Sequence, residues 1–134
     1  MFLHRFVHCP IYMAKHNDLG ILGEEKAGIF LQNQGYEIIA FNWRHARSEI
    51  DIIAKIGNFI VFVEVKTRST SVFGEPEAFV SDKKQQMMIS AAEIFLEQNP
   101  HLRDVEVRFD IVSIVINPFK EQINHFVDAF SDLP

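Results

Sequence analysis

The feature that most constrains the fold is a predicted β-hairpin in the middle of the chain, with Gly57 and Asn58 at its turn. Both residues tolerate the positive φ that tight hairpin turns require. They separate two runs rich in β-branched and aromatic residues, which predict strands at Glu49–Ile56 and Phe59–Lys66. The second run is apolar without interruption, as in a strand that is covered on both faces.

Two carboxylates face each other in this predicted hairpin. A two-residue turn fixes the register, which places Asp51 opposite Glu64 and Glu49 opposite Lys66 on one face of the sheet. Adjacent carboxylates in an apolar setting are costly unless they are protonated or bridged by a cation. An exposed hairpin end with a Glu49–Lys66 ion pair is the alternative, but it leaves the opposition of Asp51 and Glu64 unexplained. The pattern therefore favours a metal site.

The composition indicates one soluble domain with a large apolar core. The chain has 134 residues, and its hydrophobic fraction of 48% is ordinary for a globular protein. Cys9 is the only cysteine, so no internal disulfide can form and a reducing cytoplasm is the expected compartment. No apolar run approaches the roughly 18 residues of a membrane span, and no membrane partner is expected. The net charge of −5 argues against a broadly basic coat, although local basic clusters can still bind phosphates.

The first twelve residues differ in character from the rest. Their apolar residues are interrupted by charged and histidine side chains, and they lack the continuous apolar core of a secretory signal. We expect residues 1–12 to be a disordered or artefactual extension, followed by a single domain at 13–134.

A first helix is predicted at Lys15–Gln34, with Asn17 or Asp18 as its N-cap and Gly35 at its end. Its sheet-facing stripe is small and apolar apart from one acid, and consists of Gly20, Glu24, Ala27, Gly28 and Leu31. Glu24 is thus predicted to face the sheet, or else to be an acid favoured by the helix N-terminus. Glu25 lies about 100° around the helix, where a surface charge is expected.

The remaining elements complete an α-β-β-β-α-β-β order, an α/β fold with a central sheet. The predicted strands are Tyr36–Trp43, Val105–Asn117 and an edge strand at Ile123–Phe130, and the second helix, capped by Ser81, is Asp82–Gln98. A basic connection at residues 44–47 precedes the hairpin, and a polar loop at residues 69–78 follows it. Long loops beside a charged site are often functional.

An acid on one strand and an acid-x-lysine on its neighbour have a specific chemical use. Two carboxylates can hold Mg²⁺ through hard oxygen ligands, often with a backbone carbonyl and waters. The metal lowers the pKa of a bound water and polarises a phosphoryl oxygen. A lysine on the same face can stabilise the charge that develops in the transition state. These are the requirements of phosphodiester hydrolysis.

At this point the sequence resembles the PD-(D/E)XK nucleases, the restriction-endonuclease-like superfamily, through Asp51 and Glu64-Val65-Lys66. It is most similar to the YraN-type family of short bacterial proteins, which are similar to archaeal Holliday-junction resolvases. The motifs that carry this resemblance are Gly20 to Glu24, Asn42-Trp43-Arg44, Glu49 to Ala54, Phe62 to Arg68, Lys84-Gln85 and Arg108-Phe109-Asp110. The resemblance covers residues 16–130 and implies a mixed central sheet flanked by helices. Ser48 departs from it, because the family usually has glycine there.

The resemblance also implies a set of site residues. The catalytic residues would be Asp51, Glu64, Lys66 and Glu24, and the ligands of Mg²⁺ or Mn²⁺ would be Asp51, Glu64, the backbone of Val65, and Glu24. Nucleic-acid contacts are expected from Arg44, Arg47, Arg68, Lys83, Lys84 and Gln85. The implied partner is DNA, and the resemblance is compatible with a homodimer.

Three hypotheses of function follow. The first is a metal-dependent endonuclease acting on DNA, including branched or structured DNA. The second is a non-catalytic nucleic-acid-binding or assembly module that retains the nuclease fold. The third is an interaction protein with a phenylalanine-rich surface. The presence of all four residues of the implied catalytic set favours the first, because a decayed nuclease usually loses one of them.

Overall fold

A computed structural model describes residues 16–70 and 76–132 as one five-stranded sheet with a helix packed on each face. Its elements are α1 (His16–Asn33), β1 (Glu37–His45), β2 (Ser48–Ile56), β3 (Phe59–Arg68), α2 (Asp82–Gln98), a 3₁₀ turn (Pro100–Leu102), β4 (Glu106–Asn117) and β5 (Lys120–Phe130). The predicted α/β class and element order are confirmed. The extension predicted at residues 1–12 lies outside the described residues.

The sheet is mixed, with its strands in the order β1-β2-β3-β4-β5. All neighbouring strands are antiparallel except β3 and β4, which are parallel. Parallel neighbours need a long crossover connection, and α2 lies in that connection. The side chains of α2 pack with Phe62 on one face of the sheet, while those of α1 pack with Val61 and Val63 on the other. Both faces of β3 are therefore covered, as its unbroken apolar run predicts.

The end of α1 follows the sequence prediction, and its beginning does not. Gly35 has φ of +94°, and the Tyr36 N–H donates to the Leu31 carbonyl while the Gly35 N–H donates to the Gln32 carbonyl. This pattern is a Schellman motif, which requires the left-handed conformation that glycine adopts without strain. The predicted N-cap is wrong: the helix already includes His16, so the two expected caps lie within its first turn.

The stripe of α1 that meets the sheet contains two closely packed glycines. A Cβ atom on Gly23 would overlap the Thr67 side chain, and one on Gly28 would lie 2.6 Å from the Phe41 ring. Gly20 is different, because no atom among the described residues lies within 4 Å of a Cβ built there. The prediction for Glu25 is wrong: its side chain is buried, at 1% exposure. Periodicity within the helix does not specify how far the buried surface extends around it.

The second helix begins and ends as predicted. The Ser81 side chain caps it by accepting a hydrogen bond from the Lys84 N–H at 3.2 Å, and Met88 and Phe95 from its predicted inner stripe are buried. β1 extends further than predicted, so Arg44 belongs to a strand and the connection to β2 is only a two-residue turn.

Within residues 16–70 and 76–132, no helix is both long enough and apolar enough to cross a membrane.

Candidate metal and catalytic site

The register of the β2–β3 hairpin brings the two motif acids together. The ladder runs from Ile56 paired with Phe59 to Ile52 paired with Val63, as a two-residue turn at Gly57 predicts. Continued by one step, this register places Asp51 beside Glu64, and the two carboxyl groups are close enough for Glu64 to raise the pKa of Asp51. The two acids are therefore neighbours, as predicted, although the paired ladder ends one step before them.

Asp51 lies where β2 departs from a regular strand. Residues two apart in a strand normally share a face, yet Ile50 packs in the α2 layer and Ile52 in the α1 layer. The neighbouring strand is irregular at the same level, since Asn42 of β1 has φ of +50°. The Asp51 Oδ2 atom accepts a hydrogen bond from the Val65 N–H at 2.8 Å. The carboxylate thereby occupies the position next to β3 that a backbone acceptor fills in a regular ladder.

Burial and a neighbouring charge change the acidity of this pair. Burial, followed by the negative charge of Glu64, raises the pKa of Asp51 from 3.8 to about 7. The hydrogen bond from the Val65 N–H and the positive charge of Lys84 act in the opposite direction and only partly offset the rise. At neutral pH the Asp51 carboxyl group is therefore protonated about half of the time. A cation between Asp51 and Glu64 would favour the charged form of Asp51 and so counteract the rise in its pKa.

Two lysines from different elements line a cavity beside Glu64. Lys66 lies two residues beyond Glu64 on the same face of β3, and its Nζ atom donates to the carbonyl oxygens of Pro76 and Phe79 at 3.2 and 2.7 Å. The Lys84 Nζ atom, on α2, lies 3.2 Å from the Glu64 Oε2 atom. A cavity of about 150 Å³ lies between them and is lined by Glu64, Lys66, Phe79, Val80, Ser81 and Lys84.

The donor set fits a hard divalent cation that is held partly by the protein. Asp51 and Glu64 supply carboxylate oxygens, and two carboxylates with waters and substrate oxygens suffice for Mg²⁺. The predicted third acid is not gathered with them: within residues 16–70 and 76–132, no three His, Cys, Asp or Glu side chains form a group able to hold a metal ion. Glu24 is half-buried on α1, which packs on the face of the sheet opposite to α2.

The residues predicted to contact nucleic acid lie near one end of the sheet. They differ in how exposed they are and in whether they have a local partner. Arg44 is exposed and forms an ion pair with Glu49 at 3.3 Å, whereas Arg47 is exposed in the β1–β2 turn. Lys83 is exposed on the first turn of α2. Arg68 is half-buried at the end of β3. The remaining two have local partners: Lys84 pairs with Glu64, and the Gln85 side chain donates to the Val80 carbonyl at 2.9 Å.

A family profile described as "Uncharacterised protein family UPF0102" matches residues 23–114 of the chain. The chain belongs to the UPF0102 family. The YraN-type resemblance is thereby confirmed at the level of the family. The matched segment includes both motif strands of the hairpin, the helix α2 and most of β4.

Full-length relatives in the UPF0102 family are similar over nearly their whole sequences. A UPF0102 protein of Christiangramia forsetii is 47% identical over 118 residues, which are 88% of this chain and 98% of the relative. A UPF0102 protein of Flavobacterium psychrophilum is 45% identical over the same shares of the two chains. A UPF0102 protein of Syntrophomonas wolfei is 38% identical over 115 residues, covering 86% of this chain and 99% of the relative.

Sequence reasoning missed a second polar cluster, which extends beyond the segment matched by the UPF0102 profile. Asp110 on β4 is fully buried and accepts hydrogen bonds from Arg108 at 2.9 Å, from the Asp128 N–H at 3.0 Å and from His125 at 2.8 Å. Arg108 also donates to the Tyr36 hydroxyl at 2.7 Å. The sequence signal was the Arg108-Phe109-Asp110 motif of the family resemblance, which places an arginine and an aspartate on one face of β4 but does not show their partners on β5. The cluster joins β4, β5 and the segment that follows α1.

Proposed function

We propose that this protein is a Mg²⁺- or Mn²⁺-dependent endonuclease that hydrolyses phosphodiester bonds in DNA, including branched or structured DNA. The observation that carries the proposal is the proximity of Asp51 and Glu64 at the end of the β2–β3 ladder, with Lys66 two residues beyond Glu64 on β3. Acids on adjacent strands followed by a lysine form the pattern that phosphodiester hydrolysis requires.

The fold supports this assignment. The proposal takes the α-β-β-β-α-β-β order and the mixed sheet as a restriction-endonuclease-like core of the PD-(D/E)XK superfamily. In such a core the acid-x-lysine strand lies in the interior of the sheet, as β3 does. An interior strand is held on both sides by neighbouring strands, so its side chains are positioned more rigidly than those of a loop.

The metal ligands in this proposal are the Asp51 and Glu64 carboxylates and the backbone carbonyl of Val65. A bound divalent ion would supply a water of lowered pKa and would polarise the phosphoryl group. The position of Asp51 is fixed by the hydrogen bond from the Val65 N–H, so this acid is oriented before any ligand binds. Glu24 is not among the ligands in this proposal, because it does not form one group with the other acids.

Lys66 is proposed to act on the reacting phosphate. Its ammonium group stabilises the negative charge that develops on the phosphoryl oxygens, or holds the attacking water through a hydrogen bond. In the structure this group donates to the carbonyls of Pro76 and Phe79, on the connection between β3 and α2. These contacts hold the side chain along the rim of the cavity beside Glu64.

The same contacts favour a second candidate function, a non-catalytic nucleic-acid-binding or assembly module. A lysine whose ammonium group already binds two carbonyl oxygens has fewer hydrogens to offer a substrate. In that case the carboxylates and lysines would preserve the fold of the hairpin and the loop, without turnover.

Cleavage assays with purified protein separate the two functions. Linear, flapped and four-way DNA are incubated with Mg²⁺ or Mn²⁺ and with wild type, Lys66→Ala or the control Lys55→Ala. Lys55 lies on the same hairpin, next to the residue that precedes the Gly57 turn, at the end remote from the carboxylates. We expect Lys66→Ala to reduce cleavage by about 10²–10³-fold while DNA affinity changes little, and Lys55→Ala to cleave normally. Bound metal without cleavage of any substrate by wild type would favour the non-catalytic module.

A further inference from the structure

Lys84 occupies a position that helix energetics alone does not explain. It lies in the first turn of α2, three residues after the Ser81 cap, and its side chain is 42% exposed. The N-terminus of a helix carries a partial positive charge, which disfavours a lysine there. The helix therefore gains nothing from a positive charge at this residue. The Nζ atom lies 3.2 Å from Glu64 Oε2, which indicates that the carboxylates determine where the ammonium group lies.

The surroundings of this ammonium group are strongly negative. Burial lowers the pKa of Lys84, but the charge and hydrogen bond of Glu64, followed by the charges of Asp51 and Glu49, raise it above its ordinary value. Three carboxylates thus act on one ammonium group, and Glu64 is its closest partner, at 15% side-chain exposure. A divalent ion bound to Asp51 and Glu64 would experience the same field. Two cations that need the same carboxylate compete for it.

We propose that Lys84 is the resident counter-cation of the Asp51–Glu64 pair, that a divalent metal ion displaces it from Glu64, and that the freed ammonium group then binds a phosphate of the substrate. This inference rests on the proposed function, because it requires a metal site at Asp51 and Glu64. It assigns Lys84 a role that differs from a simple phosphate contact. Metal and DNA binding become linked, since the metal releases the side chain that the DNA then uses.

Mn²⁺ binding in the absence of DNA tests the exchange. Calorimetric titrations compare wild type, Lys84→Gln, Lys84→Arg and Lys83→Gln. Lys84→Gln removes the competing charge, so we expect Mn²⁺ to bind about three- to tenfold more tightly than to wild type. Lys84→Arg keeps the charge and should stay close to wild type. Lys83→Gln removes the same charge from an exposed neighbour and should change the affinity by less than about twofold.

The outcomes separate this inference from the proposed function. Equal Mn²⁺ affinity in wild type and Lys84→Gln would overturn the inference and leave the metal site standing, and so would an equal gain in Lys83→Gln. If neither wild type nor Lys84→Gln binds Mn²⁺, both the inference and the metal site fail. If Lys84→Gln binds Mn²⁺ and wild type does not, the inference is supported, because Lys84 then outcompetes the metal ion in the wild-type protein. Thermal unfolding of each variant verifies that it is folded at the titration temperature.

Binding of four-way DNA with and without Ca²⁺ tests the second half of the exchange. Ca²⁺ serves as the probe because it takes oxygen ligands in the same kind of site. Ca²⁺ should strengthen DNA binding by wild type, and the gain should be at least about threefold smaller in Lys84→Gln. Lys83→Gln should weaken binding by the same factor with and without Ca²⁺. An undiminished gain in Lys84→Gln would overturn the claim that the freed ammonium group binds phosphate.

Discussion

The Asp51 carboxylate accepts a hydrogen bond from the Val65 N–H at 2.8 Å, so one motif acid is bound to the backbone residue between Glu64 and Lys66. This contact replaces a step of the β2–β3 ladder with a side chain. It explains how a half-buried acid is held beside a second acid, because the hydrogen bond offsets part of the cost of their proximity. The backbone pairing of the hairpin is therefore regular up to Val63, and the unfavourable interaction between the two carboxylates lies just beyond it.

The first prediction concerns Asp51 and pH. Its pKa is raised from 3.8 to about 7, so the folded protein binds this proton more tightly than the unfolded chain does. The stability from this group is fully present below about pH 4 and is lost as pH rises to about 7. We expect Asp51→Asn to be more stable than wild type by about 1–3 kcal/mol at pH 8 in EDTA, and to lose that advantage at pH 4.

Urea unfolding at pH 4, 6 and 8 measures this difference. Addition of Mn²⁺ at pH 8 should stabilise wild type and leave Asp51→Asn unchanged, because a ligand stabilises only the form that binds it. A loss of stability in Asp51→Asn at every pH, with no response of wild type to Mn²⁺, would identify the acid as structural.

The second prediction concerns Asp110, whose acidity is shifted in the opposite direction. Burial raises its pKa, but hydrogen bonds from His125, Arg108 and the Asp128 N–H outweigh burial and hold it below its ordinary value. The stability from this carboxylate is present above about pH 4 and is lost as pH falls through its folded pKa. We expect Asp110→Asn to cost about 2–4 kcal/mol at pH 7, because it leaves the half-buried Arg108 without its ionic partner.

The loss in Asp110→Asn should shrink in acid, where wild type loses the same ion pair. Urea unfolding between pH 3 and 7 follows the change, and Asp104→Asn, an exposed acid in a turn, serves as the control. A constant difference across this range would show that the carboxylate does not supply the stability through its charge.

Much of this architecture could be predicted from the sequence, because it depends on local signals. The Gly57-Asn58 turn determined the hairpin register, and Ser81 determined the start of α2, since each is a short-range backbone requirement. The prediction that Asp51 and Glu64 are neighbours followed from that register, although the ladder itself ends at Ile52 and Val63.

The parts that could not be predicted depend on contacts between distant segments. Burial of Glu25 and the Lys84–Glu64 pair depend on how each helix lies against the sheet, which no periodicity within a helix specifies. The Asp110 cluster likewise needs His125 from β5, fifteen residues later. The turn before β2 was predicted too long, because the positive φ of Ala46 allows a tighter turn than its sequence suggests.

The third prediction concerns the glycines of α1. A Cβ on Gly23 would overlap Thr67, the residue after Lys66, so Gly23→Ala should lower stability by about 1–3 kcal/mol. Gly20→Ala is the matched control in the same helix. It has open space among the described residues and should stabilise the protein by up to about 1 kcal/mol through helix propensity. Thermal unfolding of both variants gives the comparison, and an unaffected Gly23→Ala would show that α1 is packed less closely on β3.

The last prediction concerns DNA binding by the exposed arginines near the site. Arg44 is already paired with Glu49, so a phosphate contact by Arg44 requires that ion pair to break, whereas Arg47 is exposed in the neighbouring turn. We therefore expect Arg47→Ala to weaken binding of four-way DNA more than Arg44→Ala does. Each lost phosphate contact should reduce the slope of log affinity against log salt by about 0.9.

Fluorescence anisotropy between about 50 and 200 mM salt, in EDTA, measures both the affinity and the slope. Arg103→Ala is the control, because Arg103 is exposed near Asn58 at the opposite end of the hairpin. It removes the same charge and should leave the slope unchanged if the phosphates bind at the carboxylate end. Equal slopes for all three variants would mean that the net charge of the protein governs binding. A reduced slope in Arg103→Ala alone would place the DNA at the other end of the sheet, where the Asp51–Glu64 pair cannot reach it.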